Sequence, residues 1–390
     1  MSVFVDVCTE SLIKIGEELC GDKVEIVRLE DSVIVVLADG LGSGVKANIL
    51  AAMTSKMLAT MLTQGMELSD AVSTVAATLP VCKERNIAYS TFTILQAWND
   101  GAMKLVEFDN PPAVLLRGGK YHAPEARAVD IAGKAMTESH IAGQIGDILV
   151  LMSDGAIHAG IGHTLNLGWQ WDNIRDFLEQ RVQTGMTCGE VTELLLGACD
   201  DLYMQRPGDD TTVVCVKLRH ALPVSLMIGP PVKPEDDARM VDDFLRGEGL
   251  HIICGGTTSQ IVSRVTGRKM TVDLKYRNPK VPPCAHIDGI DLVTEGVLTF
   301  GRALELVRAA LEDDRPRYAP CKIEGEDGAS RIARILLEQA TSIRLMVGRA
   351  MNPAHQNPDL PLDYGIKLRM VDDMARALRL LGKRVQVEYY

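Results

Sequence analysis

The sequence predicts a mixed α+β fold in two parts: a hairpin-rich unit over residues 1–220 and a separate α/β unit over residues 221–390. Three observations carry this reading. Before residue 220, short β-branched runs are parted by brief polar breaks, which is the pattern of hairpins. Pro223, Pro230, Pro231 and Pro234 then interrupt the chain. Beyond them single strands alternate with helical stretches, the order of an α/β domain.

In the first unit, Val24–Leu29 and Val33–Ala38 are β-branched runs separated by Glu30-Asp31, so they form a hairpin. Ser43–Leu62 carries Ala and Met all round, which predicts a buried helix. A second helix follows with Ser69 as its N-cap, and the two are expected to be an ordinary core pair. Ser90–Trp98 and Ala102–Phe108 flank the turn signal Asn99-Asp100-Gly101, and Ala113–Leu116 is a further strand. Asp147–Met152 is an apolar strand. Thr187-Cys188-Gly189-Glu190 has the spacing of a capping box before an apolar helical run, and Thr211–Leu218 closes the unit as a buried strand. In the second unit Leu226–Ile228 and His251–Cys254 are strands, with a helix from Pro234 to about Gly247 between them. Gly255-Gly256-Thr257-Thr258 leads into another helix, and helical patterns at 299–312, 328–350 and 368–381 complete the unit.

Composition narrows the function classes. Forty-one Lys and Arg against 52 Asp and Glu leave a formal charge of −11. That balance argues against nucleic acid or an anionic membrane as the main partner, because neutralising phosphates needs a basic face. No apolar run reaches the ~18 residues of a membrane span. Met-Ser-Val-Phe-Val-Asp lacks the cationic start of a signal peptide, and nine scattered cysteines contain no C-x-x-C pair. The expectation is a cytoplasmic protein with reduced thiols.

An excess of carboxylates suits hard cations, and their placement is specific. If Glu30-Asp31 is the hairpin turn, paired residue numbers sum to 61, and Asp22 faces Asp39 at the open end. Directly opposed side chains have Cβ atoms roughly 4.5–5.5 Å apart. Two carboxylates at that distance call for a cation between them, or one holds a proton. Asp154 ends the strand Ile148-Leu149-Val150-Leu151-Met152-Ser153 and is followed by Gly155, and Asp209 and Asp210 begin the strand Thr211–Leu218. An oxygen-rich set of this kind suits Mg²⁺ or Mn²⁺, and zinc is disfavoured because none of these positions is His.

The order Gly21-Asp22, Asp39-Gly40-Leu41-Gly42-Ser43-Gly44, Gly146–Gly155 with Ser153-Asp154-Gly155, and Gly208-Asp209-Asp210-Thr211-Thr212 resembles the PPM (type 2C) metal-dependent serine/threonine phosphatases. Within them it is most similar to the bacterial stage II sporulation protein E subfamily. Asp109-Asn110-Pro111-Pro112-Ala113 resembles that family's G-x-x-P-P segment less closely. The resemblance spans about residues 15–218 and implies a β-sandwich between helical layers with a binuclear site of two Mn²⁺ or Mg²⁺ ions. It implies Asp22 and Asp39 bridging or flanking both ions, the Gly40 carbonyl on one, and Asp154 and Asp209, with Asp210 beside them, completing the shell. Asp22, Asp39, Asp154 and Asp209 would thus carry the hydrolysis of phosphoserine or phosphothreonine by a metal-activated water.

Two parts of that chemistry have no match. Ser43 stands where eukaryotic relatives carry a His able to protonate the leaving oxygen, which leaves water as the proton donor. No phosphate-binding Arg can be matched either; Arg206 is near Asp209 in sequence only. Rival readings of the glycine loop fail on the residues. A dinucleotide fingerprint needs glycine at Val45, and a serine-hydrolase elbow needs glycine at Leu41.

The second unit has no phosphatase motif. Gly255, Gly256, Thr257 and Thr258, between a strand and a helix, would offer N–H groups and hydroxyls to an anion. The segment around them loosely resembles the sugar-phosphate-sensing domain of deoxyribose-repressor-type regulators. His251, Cys254, Cys284, His286 and Cys321 give a thinner hint of a metal or iron–sulfur site. The sequence reading is a phosphoprotein phosphatase of bacterial signalling. Its implied substrate is an anti-sigma-factor antagonist, it can form a homodimer, and its control enters from the C-terminal side or through dimer contacts. The other class left open is a ligand-binding regulatory or scaffold protein on a weakly active phosphatase fold.

Overall fold

The computed structural model describes residues 3–390 apart from 79–80, 83–86, 89, 132, 274–280, 313–322 and 351–361. The chain divides into two compact units, one containing Met1–His220 and the other Ala221–Arg317 with Cys321–Tyr390. Among the described residues no helix is long and apolar enough to cross a membrane.

The first unit is a sandwich of two antiparallel sheets. Its elements run β1 (Val3–Leu12), β2 (Asp22–Arg28), β3 (Ser32–Gly40), α1 (Gly44–Thr63), α2 (Leu68–Thr78), a small ribbon of β4 (Val81–Cys82) and β5 (Ile87–Ala88), then β6 (Ser90–Trp98) and β7 (Ala102–Phe108). There follow β8 (Val114–Arg117), β9 (Lys120–Tyr121), β10 (Ala126–Ile131), β11 (Lys134–Ala142), β12 (Ile148–Met152), α3 (Asp154–His158), α4 (Trp171–Arg181), α5 (Cys188–Leu202) and β13 (Thr211–His220). One sheet has the order β1-β13-β12-β8-β9 and the other β10-β11-β7-β6-β3-β2. Val33, Val35 and Leu37 point between the sheets with Leu149, Leu151, Val214 and Val216. The alternate residues Ile34, Val36 and Ala38 pack under Ala51, Leu58 and Leu62 of α1. Both faces of β3 are thus covered, which is why its sequence is continuously apolar instead of alternating. On the far side, Val150 and Cys215 pack against Ile174 and Leu178 of α4 and Val191 and Leu195 of α5. The result is helix, sheet, sheet, helix.

The second unit contains β14 (Pro223–Ile228), α6 (Asp237–Leu245), β15 (Leu250–Cys254), α7 (Gly256–Thr266), β16 (Met270–Val272), β17 (Ala285–Ile287), β18 (Leu292–Thr294), α8 (Val297–Glu312), α9 (Gly328–Arg334), β19 (Ser342–Val347), α10 (Leu362–Leu380) and β20 (Arg384–Tyr389). Its sheet has the order β16-β17-β18-β15-β14-β19-β20. The five strands β18, β15, β14, β19 and β20 are parallel. Met240, Val241, Phe244 and Val262 of α6 and α7 cover one face. Phe300, Val307, Ile332 and Met374 of α8, α9 and α10 cover the other.

Several expectations are corrected. The helical pattern at 328–350 is α9, a π-helical turn at Ile335–Gln339, and then the strand β19. Ile343, Leu345, Met346 and Val347 are buried in the sheet, so burial on two faces gave an apolar run that local periodicity cannot distinguish from a buried helix. Ser69 lies inside α2 and caps nothing; the Asp70 and Ala71 N–H groups bond to the Glu67 carbonyl. Helix α1 is not buried all round, for Val45, Ile49 and Met53 are exposed. Strand β1 and helix α4, absent from the sequence reading, complete the first unit. The Thr187 capping box forms with both of its hydrogen bonds.

Candidate metal centre

The β2–β3 hairpin turns at the polar break Glu30-Asp31, and its register sets Asp22 directly opposite Asp39. The loops around this open end are held by specific contacts. The Asn48 side-chain amide donates to the Cys20 carbonyl at 2.7 Å, tying α1 to the segment before Asp22. The Gly40 N–H donates to the Gly21 carbonyl at 3.2 Å. A Cβ on Gly40 would lie 2.1 Å from the Ala47 carbonyl oxygen, so only glycine lets α1 approach so closely. Ser43 Oγ donates to Glu17 Oε1 at 2.8 Å, which commits its proton to a carboxylate.

The other acids arrive from the facing sheet. The Ser153 N–H donates to the Thr212 carbonyl and the Thr212 N–H to Ser153 Oγ, at 3.0 and 2.8 Å. This clamp places Asp154, at the end of β12, beside Asp209 and Asp210, at the start of β13. A Cβ on Gly155 would sit 2.1 Å from the Asp210 carbonyl oxygen, so the Asp-Gly pair is required by contact as well as by the turn. Tyr203 fixes the same glycine by donating from its hydroxyl to the Gly155 carbonyl at 2.8 Å.

Asp22 is only 4% exposed, and neither of its carboxylate oxygens has a hydrogen-bond partner among the described residues. Asp210, also 4% exposed, accepts from the Lys14 N–H through Oδ1, while its Oδ2 has no partner. Burial is the main force raising the Asp22 pKa, opposed by the nearby Ser153 and Thr212 hydroxyls and reinforced by Asp210 and Asp154. Burial likewise raises Asp39, with the charges of Asp22 and Asp154 adding to it. Asp209 is raised by burial and by Asp154, with Lys14 acting the other way. Carboxylates that are buried, mutually repelling and short of donors are destabilised until a cation joins them. The donor set therefore fits a divalent ion.

The fold also brings in a residue the sequence reading passed over. Helix α3 is just long enough to carry His158 one turn past Asp154, with Nδ1 3.8 Å from Asp154 Oδ2. Ligand atoms of Asp154, His158 and Asp209 all lie within 4.8 Å of one another. The sequence reading disfavoured zinc because none of the acidic positions is His; the fold sets His158 beside two of them, a placement legible in sequence because Asp and His at i and i+4 share a helix face. Lys14 was also missed. Its ammonium lies 3.5 Å from Asp209 Oδ1, while Arg206 is simply exposed. Asp22, Asp39, Asp154, Asp209 and Asp210 thus form one electrostatic neighbourhood, and Gly40 ends β3 next to Asp39. Gly255, Gly256, Thr257 and Thr258 belong to the second unit. The cysteine–histidine hint there gains nothing: burial holds the Cys254 thiol up at about 12, its Sγ donates to the Glu295 carbonyl, and Cys321 lies outside the described residues.

Residues 30–219 match the family model of stage II sporulation protein E (SpoIIE). Stage II sporulation protein E of Bacillus subtilis (strain 168) is 25% identical over 216 residues, which cover 53% of this chain and 25% of that protein. The chain thus spans a quarter of that relative's length. A solved structure of the PP2C phosphatase domain and a fragment of the regulatory domain of SpoIIE from Bacillus subtilis aligns with a TM-score of 0.49 at 22% identity, over 57% of this chain and 65% of that one. The RsbU and RsbW domains of a Mycobacterium tuberculosis protein align with a TM-score of 0.44 at 18% identity, over 62% and 67% of the two chains.

Proposed function

We propose that this chain, which carries a SpoIIE-type domain, is a metal-dependent protein serine/threonine phosphatase of bacterial signalling. The observation that carries the reading is the buried, partnerless carboxylate of Asp22 set opposite Asp39 and within the field of Asp154 and Asp210. Asp22, Asp39, Asp154, Asp209 and Asp210, with the Gly40 carbonyl, are the groups proposed to hold two divalent ions, and His158 is proposed as a further ligand. Bound there, such ions lower the pKa of a water and offset charge on phosphoryl oxygens.

The chain's own residues have separable tasks in this proposal. Asp22 and Asp39 orient the attacking water by accepting its hydrogen bond. Lys14, held at the rim by Asp209, supplies the positive charge that binds the phosphoryl group in place of the unmatched arginine. Ser43 is excluded as proton donor because its hydroxyl is engaged by Glu17, so the leaving oxygen takes its proton from water. An imidazole among carboxylates favours Mn²⁺ over Mg²⁺, since nitrogen ligands raise affinity for the transition ion. The proposed substrate is a phosphorylated anti-sigma-factor antagonist, met in the cytoplasm.

Manganese-dependent hydrolysis of p-nitrophenyl phosphate, compared between the parent and Asp154→Asn, tests the reading. The expected loss is at least 100-fold. Equal rates would leave the alternative, a ligand-binding or scaffold protein on this fold.

A further inference from the structure

The candidate metal centre has an apolar rim. Between β1 and β2 the chain passes the acidic cluster as an open segment, and Ile13, Ile15 and Leu19 turn from it to solvent. The segment is held to the centre along its length. At its start the Lys14 N–H donates to Asp210 Oδ1 at 3.0 Å, and the Ile15 N–H to the Pro207 carbonyl at 2.8 Å. Further along, Glu17 accepts from Ser43 and the Cys20 carbonyl accepts from Asn48, so the segment finishes against the first turns of α1. There Val45, Ile49 and Met53 are exposed too, and all six side chains are between 42 and 59% exposed. Positions i, i+4 and i+8 share a helix face, so the α1 residues form a row about 12 Å long that starts at the glycine loop.

Exposed aliphatic side chains scattered singly need no explanation, but a group of them gathered beside a site marks a surface that another molecule covers. Two constraints identify that molecule. A phosphoserine has one carbon and one oxygen between its backbone and its phosphorus. A phosphate in the metal centre therefore brings the substrate's main chain, and the side chains around it, down onto this rim. The rim is also divided between a loop and two turns of a helix, which is broader than a single extended strand covers. A large aliphatic patch of this kind is the character of the central part of a protein–protein interface.

We propose that the Ile13–Leu19 segment and the Val45–Met53 face of α1 form the docking surface for a folded phosphoprotein, which sets an apolar patch of its own against them while its phosphoserine enters the metal centre. This rests on the phosphatase reading. Rates of the full chain in Mn²⁺ are compared on p-nitrophenyl phosphate, on a folded serine-phosphorylated anti-sigma-factor antagonist, and on a short peptide carrying that antagonist's phosphoserine. The parent should hydrolyse the folded protein with kcat/KM at least 100-fold above the peptide. The double variant Ile15→Ser, Ile49→Ser should lower kcat/KM on the folded protein at least tenfold, through KM, and leave p-nitrophenyl phosphate hydrolysis unchanged. Ile145→Ser changes an exposed aliphatic at the other end of β12 from Asp154 and should alter neither rate. No p-nitrophenyl phosphate hydrolysis by the parent would sink the phosphatase reading and this proposal with it. With that hydrolysis intact, equal rates on folded protein and peptide, or a double variant that loses both activities alike or neither, would overturn the docking surface alone. A parent dimer that the double variant converts to a monomer, with its rate on the antagonist unchanged, would give the surface to a second copy of the chain and overturn the proposal as well.

Discussion

Replacing Asp22 by Asn in the metal-free protein should make it more stable, and by clearly more at pH 8 than at pH 5. Asp22 and Asp39 are direct cross-strand partners, and burial raises the pKa of each. Unfolded aspartates ionise near pH 3.9, so ionisation on the way to pH 8 is easier unfolded than folded. For an acid raised by folding, stability is therefore greatest at low pH and is lost as pH rises through the folded pKa. Each pH unit between the unfolded and folded values costs about 1.4 kcal/mol, so with burial pushing Asp22 up to about 7 the penalty at pH 8 exceeds that at pH 5 by roughly 3 kcal/mol. For a unit of this size that corresponds to a melting shift of about 6–12 °C. Thermal unfolding in EDTA at pH 5 and pH 8 reads the effect, and saturating Mn²⁺ should reverse the order by stabilising the parent more than the variant. A parent protein equally stable at both pH values, with an Asn variant that matches it, would refute the electrostatic argument.

Other outcomes follow from the same geometry. His158→Ala should weaken Mn²⁺ binding at least tenfold by calorimetry, and Mg²⁺ binding by less, because the lost ligand is a nitrogen. Gly40→Ala forces a Cβ into the Ala47 carbonyl and should cost on the order of 3 kcal/mol, measured by urea denaturation. Thr187→Ala removes the hydroxyl that accepts from the Glu190 N–H, keeps the reciprocal backbone bond to the Glu190 carboxylate, and should cost about 1 kcal/mol without changing metal affinity.

Much of the centre was legible because hairpin pairing is arithmetic. Once Glu30-Asp31 is the turn, Asp22 and Asp39 must face one another, and the register agrees. Strand-ending Asp-Gly and Asp-Asp pairs were equally readable as rigid points. His158 is not legible from strand ends because it lies on the short helix beyond Asp154, one turn further along. Lysine 14 could not be found at all: it comes within 3.5 Å of Asp209 across 195 positions of sequence.

Local chemistry thus determined which residues turn, cap and alternate, and hence the hairpins, the glycine loop and the acid-bearing strand ends. Tertiary structure alone decided what those signals surround. Whether an apolar run such as Ser342–Val347 is helix or strand depends on neighbours on both its faces, which no local period encodes. Whether an aspartate is a solvated rim or a buried ligand depends on the donors left to it. For Asp22 that became visible only when two sheets closed over a carboxylate and supplied it with no hydrogen-bond partner among the described residues.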